Sequence, residues 1–208
     1  LECLTKAKKI ADYVTVNISS PNTPGLRSFQ QAEKLEELLN PLVRFALNDK
    51  DEAQPLPLLL KIAPDLADKD INDIVEVAVS SGISGIIVSN TTVSRPPDLA
   101  DINKNEVGGL SGAPLFELST KKLAQTFLAA KKRIPIIGVG GIENSETAYA
   151  KIKAGASLLQ LYTALTYKGP QLFSEINKGL SKSLKNDNLK HISEAVGIDA
   201  ESWASKDV

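Results

Sequence analysis

The sequence predicts an α/β fold of parallel strands and crossover helices, and it favours part of a (β/α)8 barrel, the TIM-barrel architecture. Short apolar runs that are nearly continuous alternate with stretches of helical periodicity along the chain. Such runs are typical of parallel strands buried on both faces, and their alternation with helices is typical of βα units. Polar and glycine residues follow the runs, where a barrel places its functional groups.

The predicted strands are five apolar runs. They cover residues 13–18, 58–62, 85–88, 134–139 and 157–161. Because a closed barrel has eight strands, we expect residues 1–208 to form the C-terminal portion of a single barrel domain with about five βα units. An upstream segment is expected to supply the remaining strands. The sequence contains no methionine, which also predicts that residue 1 is not the native start.

Helices are predicted between the strands from the spacing of apolar residues. They cover residues 31–47, 68–80, 118–132, 145–154 and a stretch from Pro170 to about residue 186, while residues 1–11 resemble a helix entered partway. Asp68 is expected to cap its helix, and Gly82 is expected to end it. Residues 91–117 show no helical period. Long loops of this kind are often functional, and the paired Gly108 and Gly109 suggest close approach of the backbone to a ligand.

Several other classes of protein are disfavoured. The segment Gly138-Val-Gly-Gly lacks the GxGxxG spacing of a dinucleotide-binding first turn, so an open doubly wound sheet is the weaker alternative. The formal net charge is −1, which makes nucleic acid an unexpected partner. The single cysteine, Cys3, excludes an internal disulfide. Paired carboxylates, a metal-ligand cluster and a Ser/His/Asp order are not found, so hydrolysis and zinc chemistry are not expected and no metal is predicted.

Candidate functional residues stand after the predicted strands. In the segment 17–27, Asn17 and Asn22 can donate to and accept from a planar heterocycle, although the same composition suits an ordinary turn. Lys61 lies within an apolar run, where it would stabilise negative charge on a cofactor ring or extend its ammonium group to solvent. Gly140-Gly141 and the final strand's Tyr162-Thr163 suit a phosphate, the alternative being ordinary βα turns.

Taken together and in this order, six segments resemble the dihydroorotate dehydrogenase family. They are residues 17–27, 61–65 (KIAPD), 90–96 (NTTVSRP), 108–114 (GGLSGAP), 135–141 (PIIGVGG) and 155–164 (GASLLQLYTA). The resemblance runs from about residue 11 to residue 197. It implies a flavoprotein oxidoreductase that uses FMN to oxidise dihydroorotate to orotate, the ring-oxidation step of pyrimidine (UMP) biosynthesis.

The serine at position 20 resembles class 2 of the family, because class 1 carries a cysteine there. Class 2 members are membrane-associated and pass electrons to a quinone through an N-terminal helical region. The resemblance therefore implies a quinone partner and membrane contact through a region upstream of residue 1. It implies the mitochondrial inner membrane in a eukaryote, or peripheral attachment to the bacterial inner membrane as the alternative.

The resemblance also implies a role for each matching residue. Ser20 is the catalytic base that removes the C5 proton of dihydroorotate, while the C6 hydride passes to flavin N5. The substrate-binding residues are Asn17, Asn22, Asn90 and Thr91. The cofactor-binding residues are Asn17, Lys61, Ser89, Ser111, Gly112, Gly140, Gly141, Tyr162 and Thr163. Ser89 stands where threonine is common in the family, so the hydroxyl is kept.

Two alternatives remain beside this reading. One is a class 1 or dihydropyrimidine-type FMN barrel oxidoreductase, against which Ser20 speaks. The other is a non-catalytic fragment that folds only with an upstream segment. Flavin absorbance of the purified protein separates the second alternative from the enzymes.

Overall fold

The computed structural model describes residues 1–47, 55–97 and 99–207. The strands form one parallel sheet. They are β1 (Val14–Asn17), β2 (Leu58–Ile62), β3 (Gly85–Val88), β4 (Ile136–Val139) and β5 (Leu158–Gln160), paired in the order β1-β2-β3-β4-β5. A doubly wound sheet reverses its strand order at a switch point, whereas this order follows the sequence throughout. The predicted α/β class is confirmed, and the order is that of consecutive strands in a barrel.

Helices follow the strands. They are α1 (Glu2–Ala7), α2 (Ala32–Leu47), α3 (Asp68–Ser81), α4 (Phe116–Ala130), α5 (Ser145–Lys153), α6 (Thr163–Lys168), α7 (Gln171–Asn186), α8 (Ile192–Ala195) and α9 (Ala200–Ala204), with 3₁₀ turns at Leu26–Gln30 and Ala113–Leu115. In the described ranges, none of these helices combines the length and the apolar character needed to cross a membrane.

The core lies between the sheet and helices α2, α3 and α4. Leu39 of α2, Ile74 of α3 and Leu123 of α4 are 0% exposed and belong to one cluster with Leu60 of β2 and Ile86 of β3. Burial of each such side chain contributes about 1.5–3 kcal/mol. This packing fixes the helices against the sheet and so fixes where the loops begin.

The register of the sheet brings the strand ends to one edge. Asn17 is paired with Lys61, Val88 with Gly138, and Val139 with Gln160. Because the strands are parallel, the loops that follow them emerge side by side. The sequence motifs after the strands therefore meet at one end of the sheet, as predicted.

The predicted bounds of β2 and β3 are confirmed, and the other strands are shorter than predicted. The run at 134–139 pairs only from Ile136, since Pro135 has no N–H to donate to a neighbouring strand. Asp68 is not the cap of α3: Ala67 holds that position, and the Asp68 carboxylate instead accepts from Lys122 Nζ at 2.9 Å. Gly82 ends the helix in the left-handed conformation, with φ 84°, as predicted.

Helix α6 was not predicted. It has six residues and none of them is buried, so the sequence carries no apolar stripe that would show its period. The predicted loop 91–117 is irregular up to the turn Ala113–Leu115, apart from an antiparallel bridge between Thr92 and Leu110. Position 98, inside that loop, lies outside the described residues.

Candidate active site

A cavity of about 340 Å³ opens at the carboxyl ends of β2, β3, β4 and β5. Its wall contains every predicted cofactor residue except Asn17. They are Lys61, Ser89, Ser111, Gly112, Gly140, Gly141, Tyr162 and Thr163, joined by the predicted substrate residues Asn90 and Thr91. Three separate loops and strand β2 thus contribute to one concave surface, which is the placement expected for a ligand site in parallel α/β proteins.

One wall of the cavity is the backbone after β4. Gly140 and Gly141 have φ values of 108° and 73°, a region that favours glycine. A Cβ on Gly140 would lie 2.8 Å from Ser119 Oγ, and one on Gly141 would lie 2.8 Å from Phe116 N. Neither backbone N–H donates a hydrogen bond within the described part of the chain. Free N–H groups on a concave backbone surface suit an anion.

A second part of the wall joins the loop after β3 to the loop after β5. Thr163 Oγ1 donates to Ser111 Oγ at 3.1 Å. A Cβ on Gly112, whose φ is 80°, would lie 3.2 Å from Thr163 Cγ2. The side chain of Tyr162, next to Thr163, is 80% exposed. These contacts place both hydroxyl groups in the same cavity as the glycine wall, and Ser111, which accepts from Thr163, keeps its own proton for an anion.

Lys61 lies on β2 with its side chain in the cavity wall. It is half-buried and, among the described residues, its ammonium group makes no hydrogen bond or ion pair. Burial lowers the pKa of its ammonium group from the ordinary value. Because burial disfavours an isolated charge, a bound anionic group would restore the charged form. Lys61 therefore suits a ligand that carries or gains negative charge.

Asn17 reaches the site through Asn90. The Asn90 Nδ2 donates to Asn17 Oδ1 at 3.3 Å and to Ser19 Oγ at 3.0 Å, and Ser19 Oγ donates to Asn17 Oδ1 at 2.9 Å. The Thr91 N–H donates to Asn90 Oδ1 at 2.8 Å. These bonds fix the orientation of both amides. The two predicted asparagines are brought together, although Asn17 does not line the cavity itself.

Ser20 and Asn22 lie beside the cavity and not in its wall. Their loop faces the paired glycines predicted to approach a ligand: a Cβ on Gly108 would lie 3.6 Å from Asn22 Oδ1. The Asn22 N–H donates to Ser20 Oγ at 3.3 Å. Ser20 is half-buried, and in the described ranges its hydroxyl has no carboxylate or imidazole partner.

An ion pair that sequence reasoning did not predict holds three of these loops together. Arg27 Nη1 donates to Asp65 Oδ2 at 2.8 Å, Arg27 Nε donates to the Ser19 carbonyl at 3.1 Å, and Arg27 Nη2 donates to the Thr91 carbonyl at 3.1 Å. Asp65 also accepts from the hydroxyl of Thr92. The sequence signal for this ion pair is limited to the positions of Arg27 and Asp65 at the ends of the segments 17–27 and 61–65.

The fold and the cavity define the class of this protein. It is a parallel α/β protein with a candidate ligand site at the carboxyl ends of its strands. The glycine wall of that site suits an anion, and Asn90, held by Asn17, suits a polar ring. In the described ranges, no group of three or more His, Cys, Asp or Glu side chains is placed to hold a metal ion.

The family is shown by comparison with known proteins, because the dihydroorotate dehydrogenase family model matches residues 1–184. The chain is 50% identical over 190 residues to the dihydroorotate dehydrogenase (quinone) of Parvibaculum lavamentivorans, covering 91% of this chain and 53% of that protein. It is 50% identical over 203 residues to the Brucella ovis protein of the same name, covering 95% and 55%. The chain belongs to the dihydroorotate dehydrogenase family.

Solved structures agree with this assignment. The ligand-free DHODH of Eimeria tenella matches with a TM-score of 0.89 at 35% identity, over 95% of this chain and 59% of that one. The same organism's DHODH in complex with ferulenol matches with a TM-score of 0.86 at 34% identity, over 94% and 57%. The resemblance found in the sequence is confirmed. The chain spans about half the length of the curated relatives it matches.

Proposed function

We propose that the protein oxidises dihydroorotate to orotate in pyrimidine biosynthesis, with FMN as cofactor and a quinone as electron acceptor. The observation that carries this proposal is the meeting of predicted cofactor and substrate residues from strand β2 and three loops in one cavity. The relatives named dihydroorotate dehydrogenase (quinone), at about 50% identity, support the substrate and the acceptor.

The residues present fit FMN. The unpaired N–H groups of Gly140 and Gly141 and the hydroxyls of Ser111 and Thr163 suit its phosphate, since such donors favour anions. The unpaired Lys61 suits a ring on which negative charge develops. When bound, FMN supplies the group that accepts a hydride from the substrate.

The chain's own residues hold the substrate and move its proton. Asn90, oriented by Asn17 and Thr91, presents its amide to the polar ring. Ser20 takes the C5 proton, and its oxygen is positioned by the Asn22 N–H. A hydroxyl is a weak base unless its own proton is passed on. Because Ser20 is half-buried, we assign that onward transfer to water.

Membrane association is part of the proposal. Class 2 enzymes reach their quinone at a membrane surface, so we propose contact through a region N-terminal to this chain. The corresponding location is the mitochondrial inner membrane in a eukaryote or the bacterial inner membrane otherwise. Fractionation of cells that express the tagged protein tests this, and recovery in the soluble fraction alone would contradict it.

The experiment that tests the function is anaerobic titration of the purified holoprotein. We expect flavin absorbance that is bleached by dihydroorotate and restored by a soluble quinone analogue. Bleaching by dihydropyrimidines that lack the carboxylate, and not by dihydroorotate, would favour the dihydropyrimidine-type alternative. A protein without flavin absorbance would contradict the proposal.

Replacement of Asn90 by alanine is expected to weaken orotate binding and leave FMN binding unchanged. The substitution removes an oriented amide from the substrate side of the cavity. An unpaired polar group on a buried ligand costs about 1–3 kcal/mol. Titration of the flavin spectrum with orotate measures this, with Asn72→Ala on the exposed face of α3 as the control. An unchanged affinity for orotate would show that Asn90 does not bind the substrate.

Replacement of Lys61 by methionine is expected to lower the midpoint potential of the bound flavin. The side chain keeps its length and loses its positive charge, so reduction of the ring is less stabilised. Potentiometric titration measures the shift, with Lys69→Met on the exposed face of α3 as the control. An unchanged or raised potential would place Lys61 away from the ring.

A further inference from the structure

Lys151 is a buried lysine that the proposed mechanism does not use. It lies on α5, and its side chain is 0% exposed. Its Nζ donates to Ser119 Oγ at 2.6 Å, lies 3.5 Å from the Val139 carbonyl oxygen and stands 5.4 Å from the centroid of the Phe116 ring. The ammonium group is thus enclosed by α4 and by the end of β4, directly behind the glycine wall of the cavity.

No carboxylate neutralises this lysine within the described ranges. Glu117 on α4 is the acidic residue whose charge acts on Lys151, but it is exposed and forms its ion pair with Lys206 at 2.9 Å. Lysine is rarely buried without a partner, because desolvation of the charge costs several kcal/mol. Burial accordingly lowers the pKa of Lys151 well below the ordinary value. A compensating negative charge is therefore to be sought outside the chain's own side chains.

The contacts of Lys151 lead to the glycine wall. Ser119 Oγ accepts from Lys151, so its single proton is available to a carbonyl, and the Gly140 carbonyl lies 3.1 Å away. Ser119 also lies 3.1 Å from the Phe116 carbonyl, which competes for that proton. The direct contact with the Val139 carbonyl reaches the residue before Gly140. Lys151 therefore acts on the carbonyls of two successive peptide units, Val139–Gly140 and Gly140–Gly141, whose N–H groups are those of the glycine wall.

We propose that Lys151 is a positioning residue for the phosphate of the cofactor. Through Ser119 and the Val139 carbonyl it holds the Gly140-Gly141 backbone with its N–H groups free, and it supplies a positive charge behind that backbone. This inference rests on the proposed function, since it requires FMN or another phosphorylated ligand in the cavity. The low dielectric of the interior strengthens such an interaction.

If Lys151 served only the packing of the fold, its replacement would have a different outcome. An apolar side chain of similar length removes a buried charge, and such replacements are often neutral or stabilising. Lys151→Met should therefore leave the folded apoprotein at least as stable while it weakens the binding of a phosphorylated ligand. The opposite signs of the two effects separate positioning from support of the fold.

The test compares FMN with riboflavin, which has the same ring and no phosphate. For the Lys151→Met holoprotein, freed of flavin and titrated with each, we expect the Kd for FMN to rise about tenfold or more, the size of one charge-assisted hydrogen bond. The Kd for riboflavin should change by less than about twofold. Lys151→Gln, which keeps a donor and removes the charge, should behave in the same direction.

Lys122→Met is the matched control. Lys122 is 8% exposed on α4 and pairs with Asp68, outside the cavity wall. Its replacement should therefore leave the Kd for each flavin at the wild-type value. If the Lys151 variants lose affinity for FMN and riboflavin equally, or lose affinity for neither, the inference is overturned and the proposed function still stands. If neither Lys151 variant folds, Ser119→Ala in the same titrations decides. A wild-type protein that binds neither flavin would overturn both proposals.

Discussion

Replacement of Ser20 by alanine is expected to slow the reduction of protein-bound FMN by dihydroorotate by about 10²–10⁴-fold, the usual effect of losing a positioned base. FMN itself should remain bound, because Ser20 lies outside the cavity wall that contains the predicted cofactor residues. Anaerobic stopped-flow measurement of flavin bleaching gives the rate. Titration with FMN gives the affinity.

Two further variants make the result specific. Ser20→Cys should retain more activity than the alanine variant, because a thiolate also accepts a proton. Ser28→Ala is the control, since Ser28 directly follows the segment 17–27 and its hydroxyl donates to the Gly25 carbonyl at 2.7 Å, outside the cavity wall. A normal rate of bleaching in Ser20→Ala would show that another group is the base.

Replacement of Gly141 by alanine is expected to lower the free energy of unfolding by about 2–6 kcal/mol, the sum of backbone strain and overpacking. The φ of Gly141 is 73°, and a Cβ there would lie 2.5 Å from the Cα of Phe116. To relieve this overlap, the backbone must move away from α4, which distorts the glycine wall. We therefore also expect weaker FMN binding. Denaturant unfolding and FMN titration measure the two effects.

The control for this prediction is Gly25→Ala. Gly25 has a similar φ of 76°, but a Cβ there would meet nothing within 4 Å. The substitution thus introduces backbone strain of about 1–3 kcal/mol without overlap. The difference between the two variants isolates the close approach of Phe116. Equal destabilisation would mean that the contact between α4 and Gly141 is not tight.

The fold was predictable where local patterns are strong. The run that forms β3 is apolar throughout, and the run that forms β2 is apolar except for Lys61. Both lie against helices on the sheet, so burial fixes their limits. Helix α6 was missed because none of its residues is buried. A capping role is predicted for Asp68 because aspartate is common at helix N-caps. In the structure the Asp68 carboxylate instead pairs with Lys122, which is far away in the sequence. Local propensity cannot report a partner that only the fold brings near.

The candidate site was also predictable from local patterns, except for the contacts that only the fold creates. The motifs that follow successive parallel strands must meet, so the residues that line the cavity could be named before their positions were known. The pair of Arg27 and Asp65 and the buried Lys151 were missed. Lys151 stands in a helix beside the partly exposed Lys153, and the sequence does not distinguish a lysine that points inward from one that points to solvent.

The way in which Arg27 joins three loops has a consequence for how this site can diverge. Besides Asp65, its guanidinium bonds to the main-chain carbonyls of Ser19 and Thr91 and, in the described part of those loops, to no other side chain. Main-chain acceptors are the same for every amino acid, so mutations at Ser20 or Asn90 leave these bonds available. The bonds that hold the loops on the substrate side thus do not depend on the side chains that select the substrate. New substrates can be explored by point mutation in these loops while the pair of Arg27 and Asp65 keeps their backbones in place.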